Sequence, residues 1–585
     1  MKAQALLPAL VAATAVGAVP YNLYDAFADA NQPFSEAFVS YSIEFSSFPD
    51  FAGNNSSPNT YSDNLLNNIG DLHGTKPYIR VGGNTQDYAL YNASLDYALN
   101  GTFDYARSPD YPTTIYIGPS YFESYNQWPN VKFSHGLNLG LGANNSAGWQ
   151  TLYDSVPLAC KALGPDKLYV WEYGNEPDLF AVSSQGPVRP PTWNESTYVS
   201  QWINGTHEIL ARIEEACPDL LDQSLYGYMA PSFSRANSPL RPSVTWADGI
   251  DQDDDIKLFS THNYISGATS PGVTLQGTLM NHTRTMSSVD AHVAEYNTVF
   301  PNGDGIPLIF GECNSLYNQG KPGLSNAFGA ALWGIDFNLY SASVGVKRVH
   351  MHMGTNYRYG AWQPIETANA SIGTKPPYYG SIAVAAFLGN TVVTPVSVAS
   401  IPLSTDAEAA YTAYSVASGV LLRTIVINMN GYNTTVDGSG LGEATDIPVR
   451  VSRTYTFDVT GGNLSAGDQV AVQRLYANGS DAITGITWDG WSYNYELDYG
   501  RPVRLDNVTI GEYVIVSENG TVNVSVPDSS AALLVFTGNG TGSEGGNATT
   551  SSVVRRAFTG RGAGRSEMGW IPVWVVLGAL GWGLL

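Results

Sequence analysis

LYVWEYGNE, residues 168–176, is a run of apolar and aromatic side chains that ends on an ionisable one, Glu176. A segment apolar on both faces reads as a parallel strand buried between layers of helix. Seven more segments share that texture: SYSIEF (40–45), PYIRVGG (77–83), GLNLGLG (136–142), LYGYMAPSF (225–233), LFSTHNYI (258–265), LIFGECNS (308–315) and RVHMHMG (348–354). Helical patterns lie between them. Over about 197–216, Val199, Trp202, Ile203, Ile209, Leu210 and Ile213 form a core-packing stripe at helical spacing. A second helix, rich in Ala, Leu and Phe, is expected over about 323–340. Eight strands interleaved with helices predict an α/β fold, a (β/α)8 TIM barrel over residues 38–387.

Past residue 388 the pattern changes. AAYTAYSV, VLLRTIVINMN, VRVSRTYTFDV and TVNVSV alternate apolar and polar residues between Gly, Asn and Asp turns. This predicts an all-β sandwich over 388–538. Residues 539–567 fall to Gly, Asn, Thr and Ser, a stalk with too few apolar residues to build a core. Both ends carry processing patterns. MKAQALLPALVAATAVGA (1–18) has a basic start, a short apolar run and small residues at its end, as a secretory leader does. MGWIPVWVVLGALGWGLL (568–585) is short for a spanning helix and follows a polar spacer with Arg555, Arg556, Arg561 and Arg565. That arrangement predicts a glycosylphosphatidylinositol (GPI) attachment signal, and so an extracellular protein held to a membrane only by a lipid. About seventeen Asn-x-Ser/Thr sequons fit a secreted glycoprotein.

The formal net charge is -23, with 28 Lys and Arg and no basic cluster. Nucleic acid is therefore disfavoured as a partner, because its binding rests on phosphate neutralisation. The three cysteines leave room for one bridge, Cys160–Cys217, in an oxidising compartment, with Cys313 left over and buried. There is no CxxC or HExxH, and the acidic run Asp251, Asp253, Asp254, Asp255 lacks calcium-loop spacing. No metal or other cofactor is expected.

In a (β/α)8 barrel the reactive groups stand at the C-terminal ends of strands. Glu176 ends the fourth candidate strand, and Glu312 in LIFGECNS ends the seventh. Two facing carboxylates are what glycoside hydrolysis requires: one protonates the leaving oxygen while the other attacks the anomeric carbon. Asn175 is placed to hydrogen-bond a sugar 2-hydroxyl.

Asn-Glu-Pro after strand four with a Glu after strand seven resembles glycoside hydrolase clan A. The match is closer to family 79, which holds β-glucuronidases and heparanase. GNEPDLF (174–180) is similar to that family's acid/base segment and GECNSLYNQG (311–320) to its nucleophile segment. RVGGNTQDY (80–88) and STHNYI (260–265) are similar to its second and sixth strand segments. The resemblance implies Glu176 as acid/base, Glu312 as nucleophile and Tyr264 as the residue that holds Glu312. It implies that Tyr317, Tyr359 and the backbone of Gln319 and Gly320 grip a substrate carboxylate, although a Gly is expected at 319. It also implies that residues 19–37 join the β-domain. Glu44, Asn84, Asp87 and His262, at other strand ends, are candidates for the sugar pocket.

These features lead to the expectation of a retaining exo-β-glucuronidase that removes terminal glucuronic acid or its 4-O-methyl ether from extracellular glycans. A heparanase-like endo-enzyme, another clan A β-glycosidase and a non-enzymatic surface carbohydrate-binding protein are the alternatives. The lack of basic clusters weighs against the first, the two tyrosines against the second, and the presence of both glutamates against the third.

Overall fold

Eight parallel strands close on themselves in the computed structural model, which describes residues 20–536 apart from 143–144, 184–185, 222–224, 304, 507 and 509. The expected leader (1–18), stalk (539–567) and apolar tail (568–585) lie outside the described residues. Among the described residues no helix is long and apolar enough to cross a membrane. The barrel strands are β1 (Val39–Glu44), β2 (Ile79–Gly82), β3 (Phe133–Leu137), β4 (Leu168–Tyr173), β5 (Tyr228–Phe233), β6 (Ile256–Gly267), β7 (Leu308–Tyr317) and β8 (Val349–Met353). Each pairs in parallel with the next, and β8 returns to β1.

The main helices of the outer ring are α1 (Thr60–His73), α2 (Ser146–Lys167), α3 (Glu195–Ala216), α4 (Pro242–Ala247), α5 (His282–Val299), α6 (Phe328–Ser343) and α7 (Pro376–Leu388). Helix α3 begins where its cap demands: the Asn194 side chain accepts the Thr197 N–H at 3.0 Å. Its buried face carries Tyr198, Val199, Trp202, Ile209 and Ile213.

The sequence pattern located most of these strands and misplaced one. GLNLGLG contributes only Gly136 and Leu137 to β3; the strand begins at Phe133 and includes the polar Ser134 and His135. Residues 138–142 instead turn, because Asn138 Oδ1 accepts the N–H groups of Leu141 and Gly142. Helix α6 starts later than its apolar pattern, at Phe328. Its first N–H groups are fixed from outside the barrel, Phe328 to the Ala482 carbonyl and Gly329 to that of Ser480. After β2 the chain makes a three-stranded excursion (Ala89–Tyr91, Leu99–Thr102, Thr114–Ile117) that the pattern did not reveal.

Alternation along the strands splits the barrel into two environments. Val39, Tyr41 and Ile43 of β1, Trp171 and Tyr173 of β4, and Phe259 of β6 join the large apolar core under the helices. Inside the barrel, Val170, Met229, Leu258 and Ile309 make a small separate apolar floor. Above it the buried side chains are polar: Ser42, Arg80, Glu172, Ser232, Ser260, His262 and His352. Buried polar groups need hydrogen-bond partners, so this upper layer is a network whose members fix one another.

The β-domain is a sandwich. Its larger antiparallel sheet includes Val396–Ile401, Glu408–Ser415, Leu421–Asn428, Ser530–Val535 and Gln469–Tyr476. The smaller sheet joins Ser452–Asp458 and Thr521–Pro527 to the N-terminal strand Tyr21–Asn22. The two sheets enclose Tyr414, Val426, Phe457, Val472, Val524 and Leu534. The other face of the larger sheet packs on the barrel: Tyr411, Ala413, Ile425 and Leu533 belong to the barrel's own core. Glu408–Ser415 is accordingly buried at every position.

Cys160 in α2 and Cys217 after α3 form a disulfide, and Cys313 is free and buried. The bridge spans 57 residues, so by chain entropy it is worth about 4 kcal/mol. Replacing both cysteines by alanine is expected to lower the melting temperature by several degrees in differential scanning fluorimetry, with activity per folded molecule retained.

Candidate active site

A bulge aims Glu312. Along β7, Ile309 faces the barrel interior, so strict alternation would send Glu312 outward. The pairing with β6 instead steps from Thr261–Phe310 to His262–Glu312, skipping Gly311. The extra residue turns Glu312 inward and Cys313 outward. Gly311 permits this because a Cβ there would stand 2.2 Å from Ser260 Oγ. A different device aims Glu176. It adopts the left-handed conformation at φ 48°, uncommon for a residue with a Cβ, and its N–H donates to the Ser232 carbonyl at 3.1 Å. An oxygen of Glu176, an oxygen of Glu312 and a ring nitrogen of His262 lie within 4.8 Å of one another.

The environments of the two carboxyls differ. Glu312 Oε1 accepts the Tyr264 hydroxyl at 2.7 Å, and Oε2 accepts Arg80 Nη1 at 2.6 Å. Burial alone would raise its pKa. The imidazoles of His352 and His262, Arg80 and the Tyr264 hydrogen bond outweigh that and hold it well below the usual carboxylate range. Among the described residues the Glu176 carboxyl has His262 as its hydrogen-bond partner, whose Nδ1 lies 3.0 Å from Oε1. Burial, followed by the charge of Glu312, pushes Glu176 up to about 8. His262 is pushed down to about 4 by burial, which leaves Arg80 as the permanent cation of the set. At neutral pH, Glu312 is ionised and Glu176 holds a proton.

Arg80, at the centre of β2, ties this arrangement together. It is fully buried and contacts Glu172 Oε2, Ser42 Oγ, Glu312 Oε2 and Asn175 Oδ1 at 2.9, 2.9, 2.6 and 2.8 Å. Glu172 is held in turn by the Ser232 hydroxyl at 2.6 Å. Neither Arg80 nor Glu172 stood out in sequence. RVGGNTQDY was singled out for its later residues, and an acid in mid-strand has no local signature. The donors of Glu176, His262 and Glu312 have the spacing of a metal site. Both oxygens of Glu312 are already engaged, and the guanidinium beside it repels a cation.

The remaining candidates divide. Asn175 is buried between Arg80 and Asn84, its Nδ2 3.3 Å from Asn84 Oδ1. Tyr264 and Tyr359 pack together beside Glu312, their ring centroids 6.0 Å apart. Glu44 stands under the pocket, accepting Thr85 N–H and Oγ1 on one oxygen and the Tyr357 hydroxyl on the other. Asp87 acts as a brace. Its oxygens accept the N–H groups of Leu139, Gly140 and Asn175, so it locks the β3 and β4 loops together. Tyr317 is 46% exposed, and its hydroxyl meets Ser270 on the rim. Gln319 does adopt the conformation a glycine would favour, at φ 60°. Gly320 does not offer its N–H to a ligand, because that group donates to the Leu316 carbonyl at 3.0 Å. Apolar Trp171 and Phe180 are buried packing residues.

Residues 410–533 match the model of the glycosyl hydrolase family 79 C-terminal beta domain. A beta-glucuronidase of Neurospora crassa is 59% identical over 548 residues, covering 89% of this chain and 97% of its own length. The chain belongs to glycosyl hydrolase family 79. A beta-glucuronidase of Aspergillus niger is 52% identical, over 86% of this chain and 92% of its own. Among solved structures, a 4-O-alpha-L-rhamnosyl-beta-D-glucuronidase from Fusarium oxysporum 12S superposes with a TM-score of 0.68 over 87% of this chain and 98% of its own. At 23% identity it shows the shared barrel-and-sandwich fold. A family 51 arabinofuranosidase from Xanthomonas axonopodis pv. citri follows with a TM-score of 0.52 at 14% identity, over 87% of this chain and 97% of its own.

Replacing Arg80 with methionine keeps much of the volume and leaves Glu172 and Glu312 without their cation. Removing one partner of a buried ion pair costs about 3–5 kcal/mol. The loss should be largest near neutral pH and shrink on acidification, because protonating the two carboxyls relieves the uncompensated charge. Melting temperatures of wild type and Arg80→Met between pH 4 and pH 8 measure this; a gap independent of pH would contradict it.

Proposed function

We propose that this family 79 chain is a β-glucuronidase that works with retention of configuration and releases terminal glucuronic acid, or its 4-O-methyl ether, from extracellular glycans. The observation that carries the reading is the pair Glu176 and Glu312: two carboxyl oxygens within 4.8 Å, one group protonated and the other ionised. Retaining enzymes space their carboxyl groups by about 5–5.5 Å and inverting enzymes by about 6.5–9.5 Å, so the short spacing favours retention. Relatives at 59% and 52% identity that are beta-glucuronidases support the choice of sugar.

Glu312 attacks C1 of the glucuronide as the bond from C1 to the leaving oxygen breaks, and Glu176 gives that oxygen its proton. The product of this half-reaction is an ester between C1 and Glu312. Its formation consumes the negative charge that helped raise the Glu176 pKa, so Glu176, now ionised, returns toward an ordinary carboxylate. It then takes a proton from water as that water attacks C1 and releases Glu312. The Tyr264 hydroxyl and Arg80 hold Glu312 in its attacking position throughout. Asn175 faces the 2-hydroxyl, a contact that strengthens as positive charge develops at C1. The Tyr359 hydroxyl, whose pKa is raised well above its usual value by burial and then by Glu312, remains a donor for the glucuronate carboxylate.

Glu312→Ala should abolish turnover of an aryl β-glucuronide, with partial recovery in azide. Glu176→Ala should lose about 10²–10⁴-fold on poor leaving groups and far less on activated aryl groups. Because Glu176 must carry a proton, wild-type kcat/KM on poor leaving groups should fall as pH rises through about 8. Faster turnover of the aryl β-glucoside than of the glucuronide would overturn the choice of sugar.

We place the enzyme outside the cell on a lipid anchor, on the strength of the leader-like and tail-like termini and the sequons. Phosphatidylinositol-specific phospholipase C should then release activity from the surface of expressing cells, and truncation after residue 536 should yield secreted, active protein. Retention of activity on cells after the lipase would count against the anchor.

A further inference from the structure

Asn204-Gly205-Thr206 is an Asn-x-Thr sequon in the middle of α3, where asparagine and glycine are both poor helix formers. Packing accounts for the glycine: a Cβ on Gly205 would stand 2.2 Å from the Tyr173 ring. No packing contact accounts for Asn204. Its side chain is exposed and has no hydrogen-bond partner among the described residues. Other sequon asparagines serve the fold: Asn194 and Asn281 cap α3 and α5 through their side-chain oxygens.

A groove of about 740 Å³ runs between α2 and α3 on the outer wall of the barrel. It lies within the size range of small-molecule sites, about 300–1,000 Å³. The Cys160–Cys217 disulfide sets the two helices in register, with Cα atoms 6.2 Å apart. Both helices run away from the catalytic end, so Asn204 is level with the first turn of α2. Asn204, Glu208 and Arg212 are spaced by four and form one stripe on α3. The last two line the groove, facing Gln150, Tyr153 and Asp154 of α2. The sequon therefore stands at the upper lip of the groove, about 6 Å along the helix from Glu208.

The lining suits a short neutral sugar chain. Tyr153 stacks on Trp149 with ring centroids 6.0 Å apart, and the Arg212 guanidinium lies 5.3 Å from the Tyr153 centroid. Together they make a rigid wall that offers both an apolar ring and N–H donors. Gln150 Nε2 donates to Asp154 Oδ1 at 3.0 Å, which leaves the Gln150 carbonyl and the second Asp154 oxygen to accept from hydroxyl and acetamido N–H groups. Acidic side chains outnumber basic ones in the lining, which disfavours an anionic chain.

We propose that Asn204 carries an N-linked glycan whose first N-acetylglucosamine residues lie in this groove and tie α2 to α3. The inference rests on the extracellular reading above. Asn204 Nδ2 bonds to C1 of a sugar chain carried on a lipid diphosphate and loses a proton, and the diphosphate leaves with the bonding electrons. Transfer precedes folding, because Thr206, which completes the sequon, is buried once α3 is packed. Folding then brings α2 against α3 and closes the groove around the first sugars.

The test uses the full-length chain made in a secretory eukaryotic host. The protein is treated, native or denatured, with an endoglycosidase that cuts between the first two sugars, and the peptide containing Asn204 is then weighed by mass spectrometry. Asn204 should be occupied. Its glycan should be cut about tenfold or more slowly in native than in denatured wild type, because cleavage follows the population of the released form. Tyr153→Ala and Arg212→Ala should speed native cleavage at Asn204 by about tenfold, with turnover of an aryl β-glucuronide unchanged. An unmodified Asn204 beside other occupied sequons would overturn the inference. A chain with no occupied sequon would overturn the extracellular reading and this inference with it. Equal rates in native and denatured wild type, a comparison that needs no variant, would also overturn it, as would variants cut as slowly as wild type.

Discussion

One buried guanidinium organises the catalytic end of this barrel. Arg80 has no solvent to stabilise its charge and draws that stabilisation from Glu172, Glu312, Asn175 and Ser42. Its single positive charge is shared between two carboxylates. Burial, and then the charge of Glu312, make a third ionised carboxylate costly here, and so Glu176 holds its proton to about pH 8. The chemical difference between two glutamates of identical covalent structure therefore comes from their surroundings: His352, His262, Arg80 and the Tyr264 hydroxyl favour the charge on Glu312, whereas burial and then the charge of Glu312 disfavour it on Glu176. Buried ion pairs of this kind add little net stability. What this one contributes is a fixed geometry at the reacting atoms.

The rest of the architecture serves that geometry at successive distances. Asp87 joins the β3 and β4 loops through three backbone N–H groups, one of them that of Asn175. Glu44 and Tyr357 support the opposite side. Farther out, the larger sheet of the sandwich lies against α6 and α7, the Tyr411 hydroxyl donates to Asp336 on α6 at 2.6 Å, and carbonyls of the β-domain begin α6 itself. The loop that carries Gly320 runs directly into that helix. The β-domain is thus part of the support for one wall of the pocket, which explains why an all-β unit accompanies the barrel as one packed body instead of swinging on a linker.

Arg358 plays for the loops a part similar to that of Arg80 for the strands. It gathers the β2, β7 and β8 loops at a single point, pairing with Asp110 and holding the Asn318 and Gly320 carbonyls. The backbone there bends to meet it: Asn318, Gln319 and Gly320 have φ of 63°, 60° and 79° in succession. A left-handed run containing two residues with side chains is costly, and it persists because Arg358 holds its carbonyls from the other side. The tyrosines around this point, Tyr88, Tyr111, Tyr264, Tyr357 and Tyr359, supply both rigid wall and hydroxyl donors.

Much of this was legible in the chain. Continuous apolar runs at strand length, separated by helical stripes, specify a parallel barrel because a strand covered on both faces has no polar side to show. Alternation past residue 388 specifies a sandwich for the converse reason. Glu176 and Glu312 were visible because each interrupts an apolar run at its C-terminal end, where a barrel opens to solvent. Arg80 and Glu172 were not. Their importance lies in partners 92 or 232 residues away, and no local pattern encodes such a contact. A strand end says that a side chain is near the pocket, and only the packed structure says that Asp87 meets a row of amides and that the Tyr317 hydroxyl reaches the rim. The sequence alone determined the layers, the order of the strands and the two carboxylates. Tertiary structure decided which carboxylate keeps its proton, because burial and charge depend on distances through space that residues remote in the chain set together.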